Sequence, residues 1–379
     1  MPSPSWANPA FVALRCFACE TSHDPFVAQW VCRSCGLPLR VDYDLSRAPL
    51  APSQLVGRAS SLWRYHEVLP IRPEAATSLV EGWTPLVAAH DHLLVKDESR
   101  NPTGSFKARG LALAVSLAKV LGARVLAAPS AGNAAGALAA YGAAARLPVV
   151  VAMPEDTPRA FVEECRHYGA EVHLTPGTIA DAGKWLKANG PQDAYDVSTL
   201  KEPYRIEGKK TMAYELHEQL GGDLPDVILY PTGGGTGLIG MWKAFSEMRA
   251  LGWPLPRIPR LVSVQMDGCA PVASAFAAGA DVTVPWENAR TKVWGLRVPS
   301  PIGGFLCLRA VRETAGVAVT VSEGAALSAT QRLAARTGLD ICPEGGAGYA
   351  AFEELRALGT IGPDERVVLF NTGTGLKYR

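Results

Sequence analysis

The sequence predicts an α/β protein with two domains built on parallel sheets, preceded by a small cysteine ribbon. Three observations predict it. Short apolar runs of strand length alternate with Ala-rich runs of helix length, the pattern of parallel sheets covered by helices. Two Cys-x2-Cys pairs stand ahead of that alternation. The chain, 379 residues, is too long for one ordinary domain, and its 48% hydrophobic and 19% charged residues suit a well-packed globular protein.

The ribbon comes first. Cys16-x2-Cys19 and Cys32-x2-Cys35 are separated by 12 residues. Two such knuckles can supply four thiolates to one tetrahedral Zn²⁺. Two disulfides or a rubredoxin-like iron site are the alternatives, and a reducing compartment argues against the disulfides. Gly36 suits a knuckle, where backbone N–H groups turn toward sulfur, and His23 reads as a bystander. Cys165, Cys269, Cys307 and Cys342 are scattered and read as small buried hydrophobes. Residues 1–50 form this ribbon and a linker that ends near Ala48-Pro49-Leu50-Ala51-Pro52-Ser53.

The alternation follows. Strands are expected at 125–128, 148–153, 171–174, 227–230, 261–265 and 366–370. Helices are expected from near Leu111, at 134–145, at 157–168 and at about 238–251. Charge excludes some functions. With 37 basic against 36 acidic residues the net charge is +1, and no long basic stretch appears, so nucleic acid is not an expected partner. The apolar runs are too short to span a bilayer and the N-terminus lacks a basic-then-apolar signal, so the expected location is the cytoplasm.

Four segments carry chemistry. In Pro102-Thr103-Gly104-Ser105-Phe106-Lys107 a lysine stands at the mouth of an Ala-rich helix. There its pKa falls and the amine can form a Schiff base. Pro129-Ser130-Ala131-Gly132-Asn133-Ala134 links a strand to a helix, and its small residues leave amides free for an anion such as a carboxylate. Thr232-Gly233-Gly234-Gly235-Thr236-Gly237 joins a strand to a helix as a phosphate cradle. It is neither a Walker loop nor a dinucleotide fingerprint. Asn371-Thr372-Gly373-Thr374-Gly375-Leu376-Lys377 follows the last strand, which puts the Thr372 hydroxyl at a strand's carboxyl end.

Together and in this order, the four segments resemble those of the threonine synthase and threonine/serine dehydratase group, the fold type II enzymes that use pyridoxal 5'-phosphate. The resemblance covers residues 80–379. It implies two parallel-sheet α/β domains with the cofactor in the cleft between them: 51–105 with 200–379 as the large cofactor-binding domain, and 106–199 as the small one. It also implies roles. Lys107 carries the cofactor as a Schiff base and Asn133 bonds its phenolic oxygen. Gly233, Gly234, Gly235, Thr236 and Gly237 hold its phosphate, and Thr372 bonds its ring nitrogen. Ser130, Ala131, Gly132, Asn133 and Ala134 hold the substrate's carboxylate. The stretch Glu202-Pro203-Tyr204-Arg205-Ile206-Glu207-Gly208-Lys209-Lys210-Thr211 resembles a segment of short-type threonine synthases whose arginine binds the phosphate of O-phosphohomoserine, which makes Arg205 the candidate, with Ser198 and Thr199 nearby. The implied reaction converts O-phosphohomoserine and water to threonine and phosphate. Two departures point elsewhere in the group. Ala134 stands where threonine synthases commonly have threonine, and the Gly-Gly-Gly-Thr-Gly loop is closer to the dehydratases. The alternatives are therefore a threonine/serine dehydratase, or a related phosphate-eliminating enzyme such as cysteate synthase. The family is often dimeric, so a homodimer is expected.

Overall fold

The structure is a computed structural model and describes residues 3–90 and 92–379. Met1, Pro2 and Asp91, within the expected 1–50 and 51–105 segments, lie outside the described residues. In chain order the elements are β1 Phe11–Cys16, β2 Ser22–His23, β3 Leu39–Tyr43, β4 Leu86–His90, β5 Leu93–Asp97, α1 Lys107–Val120, β6 Leu126–Pro129, α2 Asn133–Ala145, β7 Val149–Pro154, α3 Arg159–His167, β8 Glu171–Thr175 and α4 Ile179–Asn189. There follow β9 Tyr195–Asp196, α5 Arg205–Gln219, β10 Val227–Pro231, α6 Thr236–Ala250, β11 Arg260–Met266, α7 Pro271–Ala277, α8 Gly304–Glu313, β12 Ala318–Val321, α9 Glu323–Thr337, α10 Pro343–Ala357 and β13 Val367–Asn371.

Three sheets result, ordered β2-β1-β3, β12-β11-β10-β13-β5-β4 and β8-β7-β6-β9. The third is parallel throughout. Its central strand, Val-Val-Val-Ala-Met-Pro, is buried at every position, as a strand covered on both faces must be. The six-stranded sheet is parallel except at one edge, where β4 runs antiparallel to β5. The expected pair of parallel-sheet α/β domains is present, with this one antiparallel edge. Only two residues separate β4 from β5 in sequence, and a parallel pair needs a crossover of a dozen or more.

Helix α1 begins at Lys107, four residues before the expected start near Leu111. Its residues from Ala108 to Ala118 are all buried, so no polar face marked where it begins. The ribbon is not a free appendage: Phe11, Leu14 and Leu39 share a core with Leu113, Leu117 and Leu138 of α1 and α2. Two further cores line the two faces of the large sheet.

Candidate active site

Strands β10, β13 and β5 are adjacent and parallel, so their carboxyl ends open at one edge of the sheet, where ligands bind in open α/β folds. Beyond β5 the chain turns back across that edge. Ser105 pairs with Gly373 in an isolated bridge, and the Phe106 N–H donates to the Thr372 carbonyl at 3.1 Å. Lys107 is thereby fixed beside the end of β13. Part of its side chain stays exposed, with the amine 4.0 Å from the centre of the Phe106 ring. Desolvation, and then the charge of Arg205, push its pKa down to about 7, against the pull of Glu344 and Cys342.

The small sheet supplies the opposite wall. After β6, Ser130–Gly132 lead into α2, which starts at Asn133. A Cβ added to Gly373 would stand 3.3 Å from Asn133 Nδ2, so this loop faces the turn after β13. The Ser130 amide donates to the Ala152 carbonyl, while those of Ala131 to Ala134 find no acceptor among the described residues. Asn133 Oδ1 accepts from Lys377 Nζ at 3.1 Å, and its Nδ2 lies 3.5 Å from the Tyr378 hydroxyl.

The glycine loop closes the base. The amides from Gly233 to Leu238 have no acceptor among the described residues, and they sit at the N-terminus of the 15-residue helix α6. A Cβ on Gly233 would meet the Gly295 carbonyl at 2.3 Å, and one on Gly235, whose φ is +76°, would meet Cys307 Sγ at 2.1 Å. A bare backbone of unsatisfied donors at a helix N-terminus fits a phosphate dianion. The Thr372 hydroxyl is buried, 3.6 Å from Cys342 Sγ, and makes no hydrogen bond to a carboxylate among the described residues. That donor set suits an uncharged ring nitrogen. Glu344 stands in the same wall, accepting from the Gly295 N–H at 2.8 Å and the Tyr378 hydroxyl at 2.9 Å, with its second oxygen buried and unpartnered. An amine of lowered pKa, a phosphate cradle and a neutral hydroxyl converge here, and the residues fit pyridoxal phosphate.

Arg205, the first residue of α5, is only 3% exposed. One guanidinium nitrogen donates to the Val197 carbonyl at 2.9 Å and to Thr199 Oγ1 at 3.1 Å, while Nε is buried without a partner among the described residues. Burial draws its pKa down to about 10, against Glu202 and Asp196. Thr199 in turn touches the glycine loop, since a Cβ on Gly234 would lie 2.9 Å from its methyl group. Ser198 is turned away, bonded to Asp196. Sequence reasoning missed Lys209, a fully buried amine 2.5 Å from Thr236 Oγ1. Its signal was there, four residues after Arg205 and so on the same helix face. The reading also missed Tyr378, whose only signal is an aromatic following Lys377.

The four ribbon sulfurs of Cys16, Cys19, Cys32 and Cys35 lie within 4.8 Å of one another. Tetrahedral zinc with bonds of about 2.3 Å places sulfurs roughly 3.8 Å apart. Backbone N–H groups of Ala18, Cys19 and Ser34 turn toward the sulfurs at 3.3–3.5 Å, the knuckle arrangement. The group lies outside the cleft, but the ribbon braces it. The Trp30 indole donates to the Asp196 carbonyl at 2.8 Å, and the Tyr43 hydroxyl to Glu207 at 2.7 Å. No described helix is long and apolar enough to cross a membrane.

A model of the family described as pyridoxal-phosphate dependent enzyme matches residues 77–373. The chain is 33% identical over 373 residues to a threonine synthase of Methanosarcina acetivorans, spanning 96% of this chain and 92% of that protein. It is 31% identical to a threonine synthase of Methanocaldococcus jannaschii over 374 residues, with the same coverage. Among solved structures, a threonine deaminase from T.th. is similar with a TM-score of 0.62 at 28% identity, covering 74% of this chain and 87% of that one. Maize serine racemase shares the fold with a TM-score of 0.62 at 22% identity, covering 77% and 88%.

Proposed function

The chain belongs to the family of pyridoxal-phosphate-dependent enzymes, and on that premise we propose that it converts O-phosphohomoserine and water to threonine and phosphate, the threonine synthase reaction. The observation that carries this reading is Arg205. It is a buried guanidinium with a free Nε, linked through Thr199 to the glycine loop, and no carboxylate forms an ion pair with it among the described residues. A guanidinium fork held in this way suits a second phosphate, which a dehydratase acting on threonine or serine does not require.

Bound pyridoxal phosphate supplies a conjugated ring that draws electrons from the carbons beside the substrate's nitrogen. The chain supplies the rest. The loop Gly233–Gly237 holds the cofactor's phosphate, Asn133 its phenolic oxygen, and the Thr372 hydroxyl its ring nitrogen. The loop Ser130–Ala134 receives the substrate's α-carboxylate through the free amides of Ala131 to Ala134. Lys107 holds the cofactor and then moves protons at Cα and Cβ, a role that a pKa near 7 suits at neutral pH. Arg205 orients the phosphate that leaves Cγ and retains it near the water that adds at Cβ. In the same reading the four cysteines hold a structural zinc ion, and residues 106–199 form the small domain of a cytoplasmic homodimer.

Ala134 keeps the dehydratase reading in view, because it brings no hydroxyl beside the substrate's carboxylate. An assay of the cofactor-loaded protein with O-phosphohomoserine separates the two. Phosphate and threonine in equal amounts support the synthase. Phosphate with 2-oxobutyrate would mean that water is not added at Cβ. If no phosphate forms, while threonine yields 2-oxobutyrate, the proposal fails.

A further inference from the structure

The phosphate region contains a second buried cation that the reaction just described does not use. Lys209 is fully buried, and the one hydrogen bond of its side chain among the described residues goes to Thr236 in the glycine loop. No carboxylate forms an ion pair with it among the described residues. Its position follows from three helices in close contact. A Cβ on Gly208 of α5 would lie 1.8 Å from the Arg109 carbonyl of α1, so α5 sits hard against α1. A Cβ on Gly240 of α6 would lie 3.0 Å from the Lys210 backbone nitrogen, so α6 also packs closely against α5. Gly110 would touch both the Lys209 stem, at 2.9 Å, and Arg205 Cβ, at 3.4 Å.

Lys107 and Gly110 are three residues apart on α1, as Arg205 and Lys209 are four apart on α5, so the two helices turn these three cations toward each other. The Phe106 ring lies 4.0 Å from the amine of Lys107 and 4.9 Å from that of Lys209. Burial lowers the Lys209 pKa well below its usual value, and Arg205 and Lys107 lower it further, against the weaker pull of Glu202. Two like charges on one helix face, both out of water, are unfavourable unless an anion joins them. The loop they reach presents amides without acceptors.

We propose that Lys209 binds a phosphate dianion at the glycine loop, acting together with Thr236 and the loop amides. This rests on reading Gly233–Gly237 as a phosphate cradle, but not on the identity of the amino-acid substrate. The dianion is either the cofactor's own phosphate or that of the substrate.

The test compares the wild type with Lys209→Gln. Cofactor-free protein is titrated with pyridoxal phosphate and with pyridoxal, which lacks the phosphate, and binding is followed by the ligand's absorbance. Cofactor-loaded protein is titrated with inorganic phosphate by calorimetry. If Lys209 holds the cofactor's phosphate, the variant loses about tenfold or more of its preference for pyridoxal phosphate over pyridoxal, the scale of one charge-assisted hydrogen bond. If it holds the substrate's phosphate, that preference stays and inorganic phosphate binds about tenfold or more weakly. Changes within about twofold in both titrations would show a core amine and overturn the proposal. Should Lys209→Gln not fold, Lys209→Arg and Lys209→Met replace it. The arginine variant then keeps the preference for pyridoxal phosphate, or the affinity for inorganic phosphate, that the methionine variant loses, and equal behaviour of the two in both titrations overturns the proposal. Neither titration uses turnover, so both remain readable if no threonine is formed from O-phosphohomoserine.

Discussion

Two faces of α5 hold buried charge in opposite ways. On one, every charge has its counter-ion. Glu215 pairs with Arg109 and with Lys96, the latter at 2.9 Å, and Arg109 also holds Glu98 at 2.6 Å. Near them Lys210 lies 2.6 Å from Glu207 and 2.9 Å from Glu247, and Lys243 bridges the same two carboxylates. On the other face the side chains of Arg205 and Lys209 hydrogen-bond only hydroxyls and a carbonyl among the described residues, and the one buried carboxylate near both, Glu202, is spent on the Tyr204 and Arg205 backbone N–H groups. The first face is neutralised from within and ties α5 to β5, α1 and α6. The second is left with positive charge out of water. Buried charge of the first kind holds a fold together, while charge of the second kind marks where an anion binds.

The largest effect expected from this contrast comes from breaking the paired face. Glu215→Ala leaves Arg109 with one carboxylate instead of two and Lys96 with none in hydrogen-bond contact. Removing one partner of a buried ion pair costs about 3–5 kcal/mol, so urea unfolding should show a loss on that scale. A loss below about 1 kcal/mol would mean that apolar packing alone seats α5.

Arg205→Ala should do the reverse. It removes a guanidinium that forms no ion pair among the described residues, so unfolding should shift by no more than about 1 kcal/mol. The KM for O-phosphohomoserine should rise roughly ten- to a hundredfold, the worth of hydrogen bonds to a charged group. An unchanged KM with a large stability loss would make Arg205 a structural residue and remove the contrast between the two faces.

The sequence made the second face only half visible. The segments around Lys107, Asn133, Gly233 and Thr372 were legible because each sets its chemistry in a loop of small residues, and because all four together and in order resemble those of one enzyme group. Their convergence follows from the parallel order of β10, β13 and β5. Helix α5 was not legible in the same way. It is buried from Arg205 to His217, so it has no polar face to set its register, and its lysines and glutamates look in sequence like those of an exposed helix. Lys209 was passed over for that reason. The start of α1 and the antiparallel edge strand β4 were lost similarly, one to uniform burial and the other to a connection too short to signal direction.

The smallest expected effect links the unpaired face to Lys107. In the cofactor-free protein, acylation of Lys107, read by mass spectrometry of its peptide, should rise with pH to a midpoint near 7, because only the neutral amine reacts. Ordinary lysines would follow a midpoint near about 10.4. Burial is the first cause of the depression and Arg205 the second. Arg205→Ala should therefore raise the midpoint without restoring the ordinary value. Linkage fixes the sign of a companion effect on stability. The folded pKa lies below the unfolded one, so between them the unfolded chain binds the extra proton, and stability rises as pH climbs from about 7 toward the ordinary lysine value. That gain is lost again as pH falls back to 7. Arg205→Ala should start this slope at a higher pH and so shrink the total gain, since it brings the folded pKa nearer the unfolded one. If midpoint and slope both stay put, the charge of Arg205 does not reach the Lys107 amine, and the positive face of α5 would not extend to the group that holds the cofactor.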